Sequence, residues 1–532
     1  MSLKLPHIKF LFLIPLLVII AVVTLVRIHY LDVPLERDEG EYAYMGQQIL
    51  KGEVPYKEAW NMKLPGVYYC YALTMAVFGQ TARGIRAGAL FFVLGSLIFM
   101  YLIMIRLSGV WGASFAVACA GFLLSSSSVL GMFAHSELYA VFFIILSLFL
   151  FINWMERRQS NLLLLSGFLF GIACLCKQHA LFFIPAGVAG IIYVKYSSRY
   201  GKMLFDAGSF LGASLLPYLL LCVYMLCTGT LSRFWFWTFE YARAYVAEIP
   251  VEYAPGLFIS NILPIIKHGF YTWILAFGGI LILLLRVRER KEHSVLLLMT
   301  AAALLSTVPG FYFRQHYFIF LLPFISLCAG YFFQAALAML STRIRRPLLH
   351  ALAAIVLVLC ISGPVHADSK LIGQKDPEGI SRAIYGPNPF NEAVLISKWI
   401  AAHSDIGDKI AVIGSEPEVY FYSKRKAATG FLYTYALMES HENALLMQHR
   451  FASEVERNKP RFLLFVRVPT SWLVKESSNM WIFDWYQAYK NSNYTLSALS
   501  DIFEDTTRYY WGNANIPQTP TSEYWVAVYE RK

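Results

Sequence analysis

Two adjacent carboxylates, Asp38 and Glu39, lie in the stretch Arg37-Asp38-Glu39-Gly40-Glu41-Tyr42, directly after the first apolar run. Carboxylates placed where lipid meets water are costly to desolvate, so they need a partner or a purpose. Their surroundings point to chemistry on a lipid-carried substrate. Residues 39–50 read as a helix, with Tyr42, Met45 and Ile49 at helical spacing and Gly52 as its stop. This apolar stripe suits a helix lying at the membrane surface. Asp38, three residues before Glu41, reads as the cap of a capping-box variant, a position that also fixes a carboxylate for chemistry.

Further cationic and polar residues join this pair. Lys63, in Trp60-Asn61-Met62-Lys63-Leu64-Pro65-Gly66, either presents its ammonium to an anion or snorkels to anchor an interfacial helix. His135-Ser136-Glu137, Lys177-Gln178-His179 and Arg314-Gln315-His316-Tyr317 each stand at the edge of an apolar segment. Ionisable residues at such depths pair with each other or face a cavity. One reading is structural ion pairing, such as Glu137 with Lys177. The other is a cation cluster of Lys63, Lys177, Arg314 and His316, which suits a phosphate because each supplies N–H donors.

The elements that carry these residues are membrane helices. Of 532 residues 57% are hydrophobic and only 15% charged, which excludes an ordinary soluble enzyme. Hydropathy predicts eleven spans, at about 10–30, 87–105, 110–129, 137–154, 161–176, 179–195, 204–228, 265–286, 294–310, 316–340 and 347–364. The net charge of +11 does not signal nucleic acid, because much of the excess Lys and Arg sits in alternate short loops. Those loops hold Lys4 and Lys9, Arg106, Arg157 and Arg158, Lys195, Arg199 and Lys202, Arg286, Arg288, Arg290 and Lys291, then Arg343, Arg345 and Arg346. The positive-inside rule makes this set cytoplasmic, with the N-terminus inside and the C-terminus outside. The opposite, outer face then carries the loop 31–86, the turn 130–136, Lys177-Gln178, an aromatic loop 229–258 and Phe311–Gln315. The unusual polar residues share that face.

From about residue 366 the composition becomes that of a soluble α/β domain. It has an amphipathic helix over 391–403, striped by Leu395, Trp399 and Ala402, and strands at 410–414, 462–466 and 524–529. The eight cysteines all lie in or beside apolar segments, so no disulfide framework staples this domain. Trp235, Trp237, Phe239 and Tyr241 either stack on sugar or lipid or form an interfacial belt.

Asp38-Glu39-x-x-Tyr42, Gly52-x-x-Pro55-Tyr56, Lys63-x-Pro65-Gly66-x-Tyr68-Tyr69, Phe78-Gly79 and Arg83-x-x-Arg86 together resemble the first loop of bacterial GT-C glycosyltransferases. The nearest groups are the protein O-mannosyltransferase-like enzymes and the lipid A aminoarabinose transferases. Gly171-x5-Lys177-Gln178 and His316-Tyr317-x5-Pro323 are similar to later motifs of these relatives. The resemblance implies a GT-C transmembrane catalytic domain over 1–365, with interfacial helices in 31–86, and an extracytoplasmic α/β domain over 366–532. It implies an inverting transferase in a bacterial inner membrane, moving a monosaccharide from a polyprenyl-phosphate donor to a lipid A-like, glycan or protein acceptor. Asp38 maps onto the family's base, supported by Glu39 and Tyr42, and Lys63 onto its phosphate contact, joined by Lys177, Arg314 and His316. Glu137, Gln178 and Tyr317 are acceptor-binding or ion-pair candidates. Met62 stands where some relatives carry an acidic or histidine side chain, so no cofactor is certain and a divalent metal stays open. The rival class is a sugar-lipid transporter or flippase.

Overall fold

The computed structural model describes residues 12–195, 200–512, 516–517 and 519–532. Lys4, Lys9, the start of the first predicted span and Arg199 lie outside the described residues. Helices Ala82–Leu107, Ser136–Arg157, Tyr200–Cys227, Gln315–Leu340 and Arg346–Ala367 are long and apolar enough to cross a membrane. A pair bent by 65°, Leu231–Val246 with Val251–His268, raises that number to six if counted as one span. Each of the eleven predicted segments contains a helix, but the remaining six are short, for example Ser160–Cys176 and Phe270–Leu285. Length therefore supports five or six crossings, and the count of eleven stays a reading of hydropathy.

Two expectations about the outer loops need correction. Residues 229–258 are not an open aromatic loop: Leu231–Trp235, the π-turn Phe236–Tyr241 and Ala242–Val246 form one interrupted helix. π-bulges of this kind cluster at functional sites. The helix predicted over 39–50 is Arg37–Leu50, and its apolar stripe is covered by protein, because all of Glu39–Gln48 is buried. One side packs on helix Gly66–Phe78, the other on helix Glu418–Ser423. A Cβ at Gly40 would come within 2.7 Å of the Glu418 backbone nitrogen, so glycine is what permits this approach.

The cap also differs from the expected Asp38/Glu41 box. The N-cap is Glu36, whose carboxylate accepts the Glu39 N–H at 2.9 Å, while Glu39 accepts the Glu36 N–H at 3.3 Å. Asp38 and Glu41 both find side-chain cations instead, so their carboxylates turn away from the helix end. Gly52 ends the helix as expected, at φ +85° with its N–H on Ile49 O.

Glu39 is fully buried and held by Arg86, Nε to Oε1 at 3.1 Å and Nη2 to Oε2 at 2.6 Å. The same guanidinium donates to the carbonyls of Tyr30, Val33 and Pro34, and Glu39 Oε1 accepts the Ala134 N–H at 2.8 Å. Three chain segments thus converge on one ion pair.

The C-terminal region forms a six-stranded mixed sheet in the order β2-β1-β3-β6-β4-β5. Its strands are β1 (Lys409–Ile413), β2 (Lys426–Ala427), β3 (Phe462–Arg467), β4 (Tyr494–Ile502), β5 (Thr507–Trp511) and β6 (Tyr524–Arg531). β1 is parallel to β2 and β3, and the remaining pairs are antiparallel. The predicted amphipathic helix is Phe390–Ala402, but its buried stripe is Ala393, Ile396 and Ile400. Leu395 and Trp399 are half-buried and Ala402 is exposed, one position off the predicted face. The sheet region docks directly on the first loop. The Leu35 N–H donates to Tyr422 Oη at 2.8 Å, Arg37 pairs with Glu416 at 2.9 Å, and the Trp60 N–H reaches Gly430 O at 3.1 Å.

Removing the Glu39 charge leaves the Arg86 guanidinium buried without its counter-ion. Glu39→Gln is expected to cost about 3–5 kcal/mol, read as a lowered thermal unfolding midpoint in detergent. A midpoint equal to wild type would show that the pair is not a structural tie.

Candidate functional site

Helix Arg37–Leu50, the loop around Lys63, the end of helix Ser160–Cys176, the interrupted helix 231–246, the segment 309–317 and residues 431–439 enclose a cavity of about 470 Å³. Seven residues singled out from sequence line it: Asp38, Lys63, Lys177, Gln178, Arg314, His316 and Tyr317. Glu39, Tyr42 and Glu137 do not: Tyr42 lies against Lys63 and Glu137 against Lys177, while Glu39 is turned away to Arg86. Trp237, Phe239 and Tyr241 line the wall, whereas Trp235 stacks on Phe239 and is half exposed.

Asp38 lies in the first turn of its helix, and both its partners use the same oxygen. Oδ1 accepts from Lys63 Nζ at 2.7 Å and from Tyr433 Oη at 3.1 Å. Burial raises the Asp38 carboxyl, but Lys63, His316 and Lys177 outweigh it and hold it well below the ordinary carboxylate range. Lys63 also donates to Glu41 Oε2 at 2.6 Å, and its ammonium lies 4.6 and 5.1 Å from the ring centres of Tyr42 and Tyr433. Tyr42 therefore supports the lysine, through a cation–π contact. Glu41 is fully buried and accepts the Tyr68 hydroxyl on its other oxygen at 2.6 Å.

Glu137 takes the ion-pair reading. Its Oε1 lies 2.8 Å from Lys177 Nζ and 3.3 Å from His316 Nδ1. Gln178 ties this corner to the first loop, donating Nε2–H to Met62 O at 2.8 Å. Tyr317 lies under Lys177, 4.9 Å from ring centre to Nζ. Arg314 differs from both lysines. Its Nη2 donates to Tyr245 Oη at 2.9 Å, and among the described residues no carboxylate lies within 4.0 Å of it.

Sequence reasoning missed four contributors. Glu41 had a signal, because i+3 on a helix puts it on the Asp38 face. His135 had a weaker one, in its place beside Glu137. Tyr433 and Glu439 had none, being carried to the cavity from about 400 residues away by the docking of the sheet region. His135 is buried with neither ring nitrogen hydrogen-bonded, and its ring stacks on His316 at 4.7 Å. Asp38, His135 and His316 offer ligand atoms all within 4.8 Å of one another. One carboxylate and two imidazoles, His135 with both ring nitrogens unused, fit a divalent cation.

A dolichyl-phosphate-mannose-protein mannosyltransferase family model matches residues 62–226. No curated protein matches the chain. Among solved structures, the chain is similar to ArnT from Cupriavidus metallidurans bound to undecaprenyl phosphate, at 13% identity and TM-score 0.55, covering 96% of this chain and 97% of that one. It is also similar to the Archaeoglobus fulgidus oligosaccharyltransferase AglB in complex with an inhibitory peptide and a dolichol-phosphate, at 10% identity and TM-score 0.54, covering 96% and 75%. At these identities the likeness is one of fold.

Glu439 supplies a pH-dependent contact across the cavity rim, accepting the Tyr241 hydroxyl at 2.6 Å. Burial pushes its carboxyl up from 4.5 to about 7, against the lowering effect of that hydrogen bond. The folded form then binds the proton more tightly than the unfolded chain, so this group's stabilising contribution is present at low pH and is lost as pH rises from 4.5 to about 7. Glu439→Gln should flatten that decline in thermal unfolding midpoints measured between pH 4.5 and 8. An unchanged slope would remove Glu439 as its source.

Proposed function

On the premise of a GT-C glycosyltransferase fold, we propose that this chain is an inverting transferase that moves a monosaccharide from a polyprenyl-phosphate donor to an acceptor hydroxyl. The observation that carries the reading is a single cavity lined by an ionised carboxylate, Asp38, with Lys63 bonded to it at 2.7 Å and His316 close beside it, and lined also by Lys177 and by Arg314, which among the described residues has no carboxylate within 4.0 Å. The cavity belongs to the outer face of a bacterial inner membrane, by the distribution of basic loops. Residues 1–365 then form the membrane catalytic domain, and residues 366–532 lie outside as a domain that completes the cavity.

In the reaction, Asp38 accepts the proton of the acceptor hydroxyl as that oxygen bonds to the sugar C1. The C1–O bond to phosphate breaks on the opposite face, and its electron pair stays on the phosphate. The departing group gains negative charge in the transition state, and preorganised cations away from bulk water stabilise that change. Arg314 does so without first giving up a carboxylate. Asp38, His135 and His316 are the residues that would hold a divalent cation, which when bound supplies Lewis-acid charge beside the phosphate.

Mass spectrometry of envelope lipids, glycans and proteins from cells with and without the chain is the direct test. A monosaccharide increment on one acceptor class should require the wild-type chain and fall about a hundredfold or more with Asp38→Asn. Full transfer by that variant would remove Asp38 as the base. Elemental analysis of purified protein checks the metal: His135→Ala should lose a bound divalent ion that wild type retains, and equal content in both would remove the site.

A further inference from the structure

Lys63 stands between two carboxylates that are not equivalent. Glu41 is fully buried, fixed by Tyr68, and does not line the cavity. Asp38 lines the cavity and keeps 22% of its side chain exposed. An anion entering the cavity therefore meets Lys63 from the Asp38 side. An ammonium has three N–H donors, and two are spent on these carboxylates at 2.6 and 2.7 Å. A phosphate needs such donors as well, and Asp38 is the partner placed to yield.

We infer that Asp38 and the donor phosphate compete for Lys63, so that seating the donor is what releases Asp38 to act as base. The inference rests on the reading of Lys63 as a phosphate contact and adds an order to the reaction. Three features of the geometry support the exchange. Glu41 keeps Lys63 tethered when Asp38 lets go, so the lysine needs only to pivot. Tyr433 keeps a hydroxyl on Asp38 Oδ1, so the freed carboxylate stays oriented. The Tyr42 and Tyr433 rings flank the ammonium, so it stays stabilised as it moves between the anions.

The consequence for chemistry follows from the sign of the charges. Asp38 Oδ1 is occupied by the Lys63 ammonium until that ammonium turns to another anion. With the donor absent, the acceptor hydroxyl meets an oxygen already engaged. With the donor seated, Asp38 takes the acceptor proton, the acceptor oxygen bonds to C1, and the C1–O bond to phosphate breaks with its electron pair on the leaving phosphate.

The test is binding of undecaprenyl phosphate to the full-length detergent-solubilised protein, in the presence of a chelator so that only side chains compete. Asp38→Asn should bind this lipid about tenfold more tightly than wild type, and Asp38→Ala should shift in the same direction. Lys63→Ala should bind it more weakly. If Lys63→Ala weakens binding while both Asp38 variants bind as wild type or worse, the competition is overturned and the phosphate reading of Lys63 survives. If Lys63→Ala binds as wild type, the phosphate reading itself fails, and the inference fails with it.

Discussion

The buried Arg86–Glu39 pair is the constraint on which the site depends. A guanidinium in a low-dielectric interior is tolerable only when its donors are satisfied and its charge is matched. Arg86 meets both needs by gathering the carbonyls of Tyr30, Val33 and Pro34 and both oxygens of Glu39. Glu39 then reaches the Ala134 N–H. Its chain neighbour is Asp38, and the neighbour of Ala134 is His135. One ion pair thus fixes the spacing between the segment that brings Asp38 to the cavity and the segment that sets His135 behind it, against His316.

The second constraint is the docking of the sheet region on the first loop. A Cβ at Gly430 would meet the Trp60 indole at 2.3 Å, which shows how closely the two segments pack there. This contact carries Tyr433 to Asp38, and it places Glu439 against the interrupted helix 231–246. The cavity therefore has one wall built by the membrane helices and their loops and another by the sheet region.

Much of this was legible in the sequence where the signal was local. Helix Arg37–Leu50 ends at Gly52 as its pattern implies, and β1, β3 and β6 fall on the apolar runs expected of strands. The polar residues expected on one face do converge, because they sit at the ends of neighbouring apolar segments that must emerge on the same side. The cap was misread because Glu36 and Asp38 are both plausible caps by type, and only the distant Lys63 decides which one turns away. The helix 231–246 was hidden because its aromatics, four of them consecutive from Phe234 to Trp237, fall on every face and obscure helical periodicity. Glu137 kept both its acceptor-binding and its ion-pair reading in sequence, since nothing local says that Lys177 and His316 lie beside the same oxygen. Tyr433 could not be found at all, because its contact with Asp38 depends on tertiary docking alone.

The charges around the cavity explain why Arg314 matters more than its neighbours. Lys63 is matched by Asp38 and Glu41, and Lys177 by Glu137, so these lysines bring little net positive potential to an incoming anion. Counted together, the cations Lys63, Lys177, Arg243 and Arg314 are balanced by the carboxylates Asp38, Glu41, Glu137 and Glu439 when Glu439 is ionised. In the proposed reaction a sugar phosphodiester would add a negative charge to this balanced set, and its departure as a monoester would add another. Something must then change protonation, change partner, or bind a cation. Lys63 can change partner because one of its two carboxylates faces the cavity. His135, with both ring nitrogens unused, and His316 lie beside Asp38 and offer the place where a cation would restore the balance. In the proposed reaction one charge arrives with the donor and a second develops as the C1–O bond breaks, so a partner exchange or a bound cation that answers the second charge acts in the transition state, which is where it raises the rate.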